Sequence, residues 1–116
     1  MIQLSPGAKI YICHDAVSFV KGMYGLSAVC RTILELDPLS GAYFVFRNRS
    51  GDSVRILVFD GDGLWLCAKK FATGRLRWWP QGIGTITQVE AREFLVMLWR
   101  GDSPGAGFPK LWKKIA

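Results

Sequence analysis

The side chains best suited to chemistry in this sequence are basic, and they gather beside two short breaks in an apolar stretch, residues 37–80. These breaks are residues 48–52, here called the first turn, and residues 72–74, the third turn. The basic residues near them are Arg47, Arg49, Arg55, Lys69, Lys70, Arg75 and Arg77. Such cations bind the phosphates of a polyanion when they cluster on one surface, and the neighbouring Trp78 could stack on a base.

The elements that must position these cations are β-strands. Residues 37–80 contain four apolar runs rich in aromatic and β-branched residues, separated by Gly-containing breaks, a pattern that predicts hairpins. Alternate turns of such a meander lie at the same end of the sheet. The first and third turns therefore share one end, the basic end, whereas Asp60 and Asp62 occupy the second turn, residues 60–63, at the other. The charge pattern also fits ordinary solvated strand ends, so charge alone leaves both interpretations open.

The segment before the meander predicts a short strand and a helix. Residues 9–13 are a strand candidate for an edge or a central position. Apolar residues then recur at helical spacing between Ser18, a candidate N-cap, and Asp37-Pro38, which ends the helix. The predicted buried face consists of Phe19, Met23, Leu26, Cys30, Ile33 and Leu34. Two glycines, Gly22 and Gly25, favour a loop-like first turn with the firm helix beginning at about Leu26.

A second helix is predicted after the meander. Thr85 and Ile86 could form a brief strand, and residues 87–90 match a capping box that begins a helix over residues 88–99. Its predicted inner face consists of Ala91, Phe94, Leu95 and Leu98. Together these patterns predict an α+β fold, an antiparallel β-meander of about five strands packed by two helices. They place a single domain over residues 1–101 and a flexible basic tail over residues 102–116.

Composition and cysteine spacing exclude several classes of protein. The 116 residues carry a formal net charge of +6 and half are hydrophobic, which excludes a disordered chain and favours an acidic partner. Cys13, Cys30 and Cys67 form no CxxC pair, and one histidine cannot complete a zinc site. Reduced core cysteines, no metal and no cofactor are therefore expected. No signal peptide or membrane span is predicted, so we expect a cytoplasmic protein.

The acidic residues and the histidine offer no catalytic constellation. Aspartates occur in turns, where their side chains bind the local backbone, and residues 60–63 lack most ligands of a calcium loop. His14-Asp15 could be a base and its orienting acid, but no suitably placed nucleophile is visible. Phosphate-binding and dinucleotide motifs are also missing. We therefore predict that the protein is not an enzyme.

Several spaced motifs resemble a known family, the TnpB accessory proteins of bacterial insertion sequences of type sixty-six, which differ from the RNA-guided nuclease of the same name. The central motifs are Asp37-Pro38-Leu39-Ser40-Gly41, Phe44-Val45-Phe46-Arg47-Asn48-Arg49, Gly51-Asp52, Asp60-Gly61-Asp62-Gly63 and Gly74-Arg75-Leu76-Arg77-Trp78. Lys21-Gly22 with Gly25-Leu26 is similar to a second signature. Three positions depart from the usual pattern: Ser18 replaces an Asp, Val20 an Arg and Tyr24 an acid.

The resemblance implies a non-catalytic accessory factor for DNA transposition, with the element's DNA ends and its transposase as partners. It supplies no catalytic residues. Under the DNA-binding hypothesis, the contacts are Arg47, Arg49, Arg55, Lys69, Lys70, Arg75, Arg77 and Trp78. The alternative is an adaptor that binds the transposase without touching DNA, through an exposed aromatic patch around Trp79, Trp99 or Trp112.

Overall fold

The computed structural model describes residues 7–99, which form one mixed sheet with helices on both faces. The elements are β1 (Ile10–Cys13), α1 (Gly22–Val29), a π-helical segment (Cys30–Leu34), β2 (Tyr43–Arg47), β3 (Ser53–Phe59), β4 (Leu64–Lys70), β5 (Ile86–Val89) and α2 (Ala91–Leu98). The strand order is β4-β3-β2-β1-β5, which confirms the predicted α+β class and its five strands. The predicted tail, residues 102–116, lies outside the described residues.

Strand β1 lies inside the sheet, between β2 and β5. It pairs parallel with β2, with Ile10 opposite Tyr43, and antiparallel with β5, with Ile10 opposite Val89. A parallel pair needs a crossover connection, and α1 with the π-helical segment provides it. The sheet is therefore mixed, and the antiparallel meander covers only β2, β3 and β4.

The prediction of a fourth meander strand after the third turn is wrong. Residues 75–80 form no strand, although Leu76 N donates a 2.8 Å hydrogen bond to Gly51 O in the first turn. Trp79 is buried and its indole Nε1 donates to Cys13 O at 2.8 Å, which draws the segment across the sheet face. The aromatic residues of this run therefore cover the sheet and do not extend it.

Each face of the sheet has its own hydrophobic core. Side chains alternate across the strands, so Val54 and Ile56 of β3 face one core, whereas Leu57 faces the other. The first core is closed by Phe94 and Met97 of α2 together with Phe71 and Trp79. The second is closed by Leu26 of α1 and by Cys30 and Leu34 of the π-helical segment. The two helices therefore lie on opposite faces of the sheet.

The first helix differs from its prediction at both ends. Ser18 is not the N-cap: its Oγ accepts from Val20 N in the preceding loop, and helix α1 begins after Lys21. The helix starts at Gly22, earlier than the predicted start near Leu26, so both glycines lie within it, and the positive φ of 60° at Gly22 suits glycine. The π-helical segment that follows α1 ends at Leu34, three residues before Asp37, because Glu35 adopts the left-handed conformation.

The π-helical turn explains why one predicted core residue is exposed. Glu35 N donates to Cys30 O, five residues back, so the turn is wider than in an α-helix. The wider turn brings Leu34 into the core and leaves Ile33 exposed, contrary to the prediction. Burial is confirmed for Leu26, Cys30 and Leu34.

The second helix begins later than predicted because Thr87 belongs to β5. Its backbone pairs with Ile12, so Thr87 cannot cap a helix. The capping box is formed by Glu90 and Glu93, whose side chains each accept from the other residue's backbone N–H. The shift also changes the buried face: Phe94 is buried as predicted, but Val96 and Met97 replace Leu95 and Leu98, which are half-buried.

Candidate nucleic-acid interface

The first and third turns meet at one end of the sheet, as the turn parity predicts. Phe71 N, directly after β4, donates to Asp52 O at 2.9 Å, and Leu76 N donates to Gly51 O at 2.8 Å. The second turn lies at the opposite end, where Asp60 N donates to Gly63 O. The bonds to Asp52 and Gly51 bring residues that are 19 and 25 positions apart to one surface. The basic end is therefore a single surface.

The first turn is held rigid by Asn48. Its side-chain Oδ1 accepts hydrogen bonds from Gly51 N at 3.0 Å and from Ser53 N at 3.2 Å. Its Nδ2 donates to Asp52 Oδ1 at 2.7 Å. Gly51 has a φ of 74°, a conformation that side chains with a Cβ disfavour. Arg49, within this turn, consequently projects from a fixed backbone.

Asp52 places one carboxylate inside the basic end. Its Oδ1 accepts hydrogen bonds from Asn48 Nδ2 and from the hydroxyls of Ser50 and Ser53. These bonds lower the pKa of Asp52, and the bond from Asn48 has the largest effect. Its Oδ2 lies 3.9 Å from Lys70 Nζ. The Lys70 side chain is exposed and that of Asp52 is partly exposed, so this ion pair adds little stability and Lys70 remains available to an incoming phosphate.

Arg47 is half-buried and holds β1 to the aromatic segment. Its Nη2 donates to His14 O at 3.3 Å, and its guanidinium lies 5.9 Å from the centre of the Trp79 ring. Trp79 in turn donates to Cys13 O, so both residues contact the end of β1. Arg47 therefore has a structural role at the floor of the basic end.

Arg55 lies on the other sheet face from Arg47. Its Nη1 donates to Phe19 O at 3.2 Å, and its guanidinium lies 4.6 Å above the centre of the Phe19 ring. A cation over an aromatic face contributes roughly 0.5–1 kcal/mol at an exposed site. The contact fixes the loop that precedes α1 against β3, which is a second structural role for a predicted DNA contact.

Lys69 contacts the end of α2. Its Nζ donates to Leu98 O at 2.6 Å and lies 5.1 Å from the centre of the Trp99 ring. A lysine at this position neutralises the partial negative charge of the last helical carbonyls. Lys69 thus joins β4 to α2.

The other predicted contacts form the outer surface of the basic end. Arg49, Lys70, Arg75 and Arg77 are all exposed. Of the paired tryptophans, Trp78 is half-buried and Trp79 is buried, so only Trp78 is accessible. Arg49 and Lys70 flank the first turn, and Arg75 and Arg77 enclose the hydrogen-bonded Leu76. Four cations and one aromatic edge therefore face solvent together.

Sequence reasoning missed a cleft beside the basic end. The loop at residues 16–20 packs against the first turn and encloses about 650 Å³ with Asn48, Arg49 and Arg55. Val17 N donates to Arg47 O at 3.0 Å, which secures the loop there. This contact joins residues thirty positions apart and has no local sequence signal. Val20 at the rim is 92% exposed.

His14 and the buried cysteines are structural. His14 is 6% exposed, its Nδ1 lies 3.0 Å from Gly84 O and its Nε2 lies 2.6 Å from Thr87 Oγ1. A carbonyl only accepts, so Nδ1 carries the proton, and both ring nitrogens are engaged. Burial raises the pKa of the Cys30 thiol to about 12 and also raises that of Cys13, so both are poor nucleophiles.

The second turn binds its own aspartate. Asp60 Oδ1 accepts from Asp62 N and Gly63 N, both at 2.8 Å, and Oδ2 accepts from Trp65 Nε1 at 2.7 Å. These bonds lower the pKa of Asp60, and the bond from the Gly63 amide has the largest effect. Across residues 7–99, no three His, Cys, Asp or Glu side chains converge as metal ligands.

Comparison with known proteins agrees with the motifs of the meander. The family model described as IS66 Orf2 like protein matches residues 8–103, most of the chain. The chain belongs to this IS66 Orf2-like family. It is 33% identical over 98 residues to the uncharacterized protein y4jC of Sinorhizobium fredii, covering 84% of this chain and 83% of the relative. It is 31% identical over 104 residues to y4hO of the same organism, covering 86% and 90%. No solved structure matches significantly.

The departures from the usual family pattern lie on the surface. Ser18 is exposed, and Val20 and Tyr24 are 92% and 86% exposed. Ser18 and Val20 line the cleft beside the first turn, so charged residues at these two positions would face solvent near that turn. Here the same surface is less charged.

None of the helices in residues 7–99 has the length and apolar character that crossing a bilayer requires.

Proposed function

We propose that this IS66 Orf2-like protein is a non-catalytic accessory factor in DNA transposition that binds DNA through its basic end. The observation that carries the proposal is the meeting of the first and third turns, which places Arg49, Lys70, Arg75 and Arg77 on one exposed surface. Four cations on a rigid backbone can contact phosphates on both sides of a groove without reading base sequence. A cytoplasmic location remains a prediction.

The predicted DNA contacts divide into supporting residues and exposed residues. Arg47, Arg55 and Lys69 each donate a hydrogen bond to a backbone carbonyl, and these bonds hold the end of β1, the loop before α1 and the end of α2. We therefore assign them to support the surface. The half-buried Trp78 beside Arg77 is an aromatic ring on which an unpaired base could stack.

The test is the triple substitution Arg49→Ala, Arg75→Ala and Arg77→Ala, measured by salt-titrated binding to duplex DNA from the element ends. We expect weaker binding to all sequences and a salt slope reduced by roughly two to three, since each phosphate contact contributes about 0.9. All three residues are exposed, so the fold should survive.

The matched control removes three exposed cations elsewhere: Lys9→Ala, Arg31→Ala and Arg92→Ala. Lys9 precedes β1 and Arg92 follows β5, so both lie at the opposite end of the sheet. Net charge changes equally in the two triple variants. Equal loss of DNA affinity in both would contradict a localised basic end.

A transposase adaptor is the second candidate, and one groove favours it. Between β4 and α2 a groove of about 760 Å³ is lined mainly by apolar side chains, including Leu95 and Leu98. Trp65 and Trp99 line it and are 58% and 52% exposed. Exposed tryptophans beside a groove are typical anchors of protein interfaces. Trp79 is buried, which removes it from the predicted patch.

Replacing Trp65 and Trp99 with Ala tests the adaptor function by co-purification with the element's transposase. We expect at least about a tenfold loss of retained transposase if the groove is the contact, because interface tryptophans often contribute 2 kcal/mol or more. Tyr24→Ala, an 86% exposed aromatic on α1, is the control. Retention unchanged by the double substitution would exclude the groove.

A further inference from the structure

Strand β4 is an open edge of the sheet. It pairs with β3 on one side, and within residues 7–99 no strand pairs with its other side. Its burial also decreases along its length, and Ala68, Lys69 and Lys70 are exposed. An open strand edge presents unpaired backbone donors and acceptors and can pair with another strand.

Hydrogen bonds at both ends of β4 show which of its backbone groups point outward. Asp60 N donates to Gly63 O, and Phe71 N donates to Asp52 O. Bonded residues alternate along an antiparallel pair, so the odd-numbered residues from 63 to 71 bond to β3. The N–H and C=O groups that point to the open edge belong to Leu64, Leu66, Ala68 and Lys70.

We propose that a second copy of this chain pairs its β4 antiparallel with this edge, with Cys67 of the two copies on the two-fold axis. In this register Leu64 pairs with Lys70 of the other copy and Leu66 pairs with Ala68. All four outward residues of each strand then bond to a strand residue. If the two-fold axis passed through residue 66 or residue 68, Leu66 or Ala68 would pair with the same residue of the second copy. One outward-pointing residue of each strand would then lie beyond the end of the partner strand. The arrangement is isologous, as in most homodimers.

Charge complementarity favours the second copy as the occupant. One end of β4 carries Lys70, and the turn at its other end carries Asp60 and Asp62. Antiparallel pairing brings Lys70 of each copy beside the acidic turn of the other, whereas parallel pairing would align Lys70 with itself. Lysines protect a strand edge because they repel the lysines of a second strand. In β4 they occupy only one end, so they oppose parallel pairing and permit antiparallel pairing.

The apolar residues of β4 suit the same contact. Leu64 and Leu66 are half-buried on one face, and Trp65 is 58% exposed on the other. Pairing two such strands places Leu66 next to Ala68 of the second copy on one face. It also places the two Cys67 side chains together on the other face. Contact with the second copy would cover apolar surface on both sides of the sheet.

The first experiment measures the mass of the full chain by sedimentation velocity over a wide concentration range. We expect a dimer that Ala68→Pro converts to monomer, because proline removes an outward N–H and leaves the bonds to β3 intact. Ala68→Thr keeps that N–H and is the control. A monomer at every concentration, or a dimer unaffected by Ala68→Pro, would overturn the proposal. Occupation of the edge by residues 100–116 or by another protein predicts that monomer.

A charge exchange tests the register without proline. Lys70→Glu places a carboxylate beside the acidic turn of the second copy at two symmetric positions, so we expect roughly tenfold weaker dimerisation. Adding Asp62→Lys to that variant should restore the dimer. Failure of the double variant to recover would contradict the antiparallel register.

Cys67 supplies a direct readout of the two-fold axis. In this register the two Cys67 residues, one from each copy, form a non-hydrogen-bonded pair. Their Cα atoms would be about 4.5 Å apart, within the range that a disulfide requires. Oxygen with copper–phenanthroline accepts two electrons and two protons from the two thiols. We expect a covalent dimer from the native chain and none from Cys67→Ser. A native chain that dimerises but forms no Cys67 cross-link would overturn the register.

Discussion

At the scale of single residues, the cations around the first and third turns divide by what they contact. Arg47, Arg55 and Lys69 donate to carbonyls of distant segments, whereas Arg49, Arg75 and Arg77 are exposed. The first set stabilises the surface on which the second is displayed. Substitutions in the first set should therefore alter stability as well as DNA affinity, which is why the decisive triple variant avoids them.

Acid stability is a second property of single residues, and Asp60 should contribute to it. Hydrogen bonds lower the folded pKa of this carboxyl below its unfolded value, so its stabilising effect is present above about pH 4. The effect is lost as the pH falls through the lower folded pKa. We expect Asp60→Asn to reduce the acid-induced loss of unfolding free energy, measured by chemical denaturation at a series of pH values.

Asp62→Asn is the matched control, since it removes a carboxylate from the same turn. Its backbone N–H donates to Asp60, but the substitution leaves that donor in place. The same flattening of the pH dependence in both variants would contradict a specific role for Asp60.

At the scale of elements, the segment from Phe71 to Pro80 decides the shape of the basic end. It leaves β4, bonds to the first turn through Leu76 and then buries Trp79 against the sheet. Had it continued as a strand, it would have covered the open edge of β4. Arg75 and Arg77 would then have pointed to the same face of that strand.

Trp79→Phe tests how firmly this segment is held. The substitution removes the buried bond from Nε1 to Cys13 O and leaves a small cavity, so we expect a loss of about 1–3 kcal/mol in unfolding free energy. Trp78→Phe, at the half-buried neighbour, should cost less. Denaturant titration followed by circular dichroism measures both. Equal losses would contradict the anchoring role of Trp79.

Local patterns predict the strands of this protein better than the ends of its helices. Alternation and turn chemistry locate β2, β3 and β4, because each hairpin is decided by neighbouring residues. The fate of Trp79 depends on a carbonyl 66 positions away, which no local pattern encodes. Thr87 likewise matches the sequence pattern of a helix N-cap, but it pairs with Ile12 of β1 and belongs to the sheet.

The candidate site shows the same division. Turn parity brings the cations to one end of the sheet, so the position of the basic end follows from the sequence. Which cations face solvent does not, because Arg55 is paired with Phe19 and Lys69 with Leu98, both brought close by tertiary packing. The cleft at residues 16–20 is invisible for the same reason.

At the scale of the whole molecule, three surfaces adjoin at β4, which contributes Lys70 to the basic end and Trp65 to the groove. The basic end carries the exposed cations, the groove between β4 and α2 carries Trp65 and Trp99, and the edge of β4 carries the unpaired backbone. A dimer joined at that edge would carry one basic end at each end of a continuous sheet. Its two DNA sites would then be held apart on one rigid body.

The measurement that tests the central claim most directly is the salt dependence of binding between the native chain and duplex DNA from the element ends, with and without transposase. Our account predicts that the chain alone binds and that its affinity falls steeply, with a log–log slope of roughly −3 to −4 for the four exposed cations. A chain that shows no binding at low salt, yet co-purifies with transposase, would contradict DNA binding by the basic end.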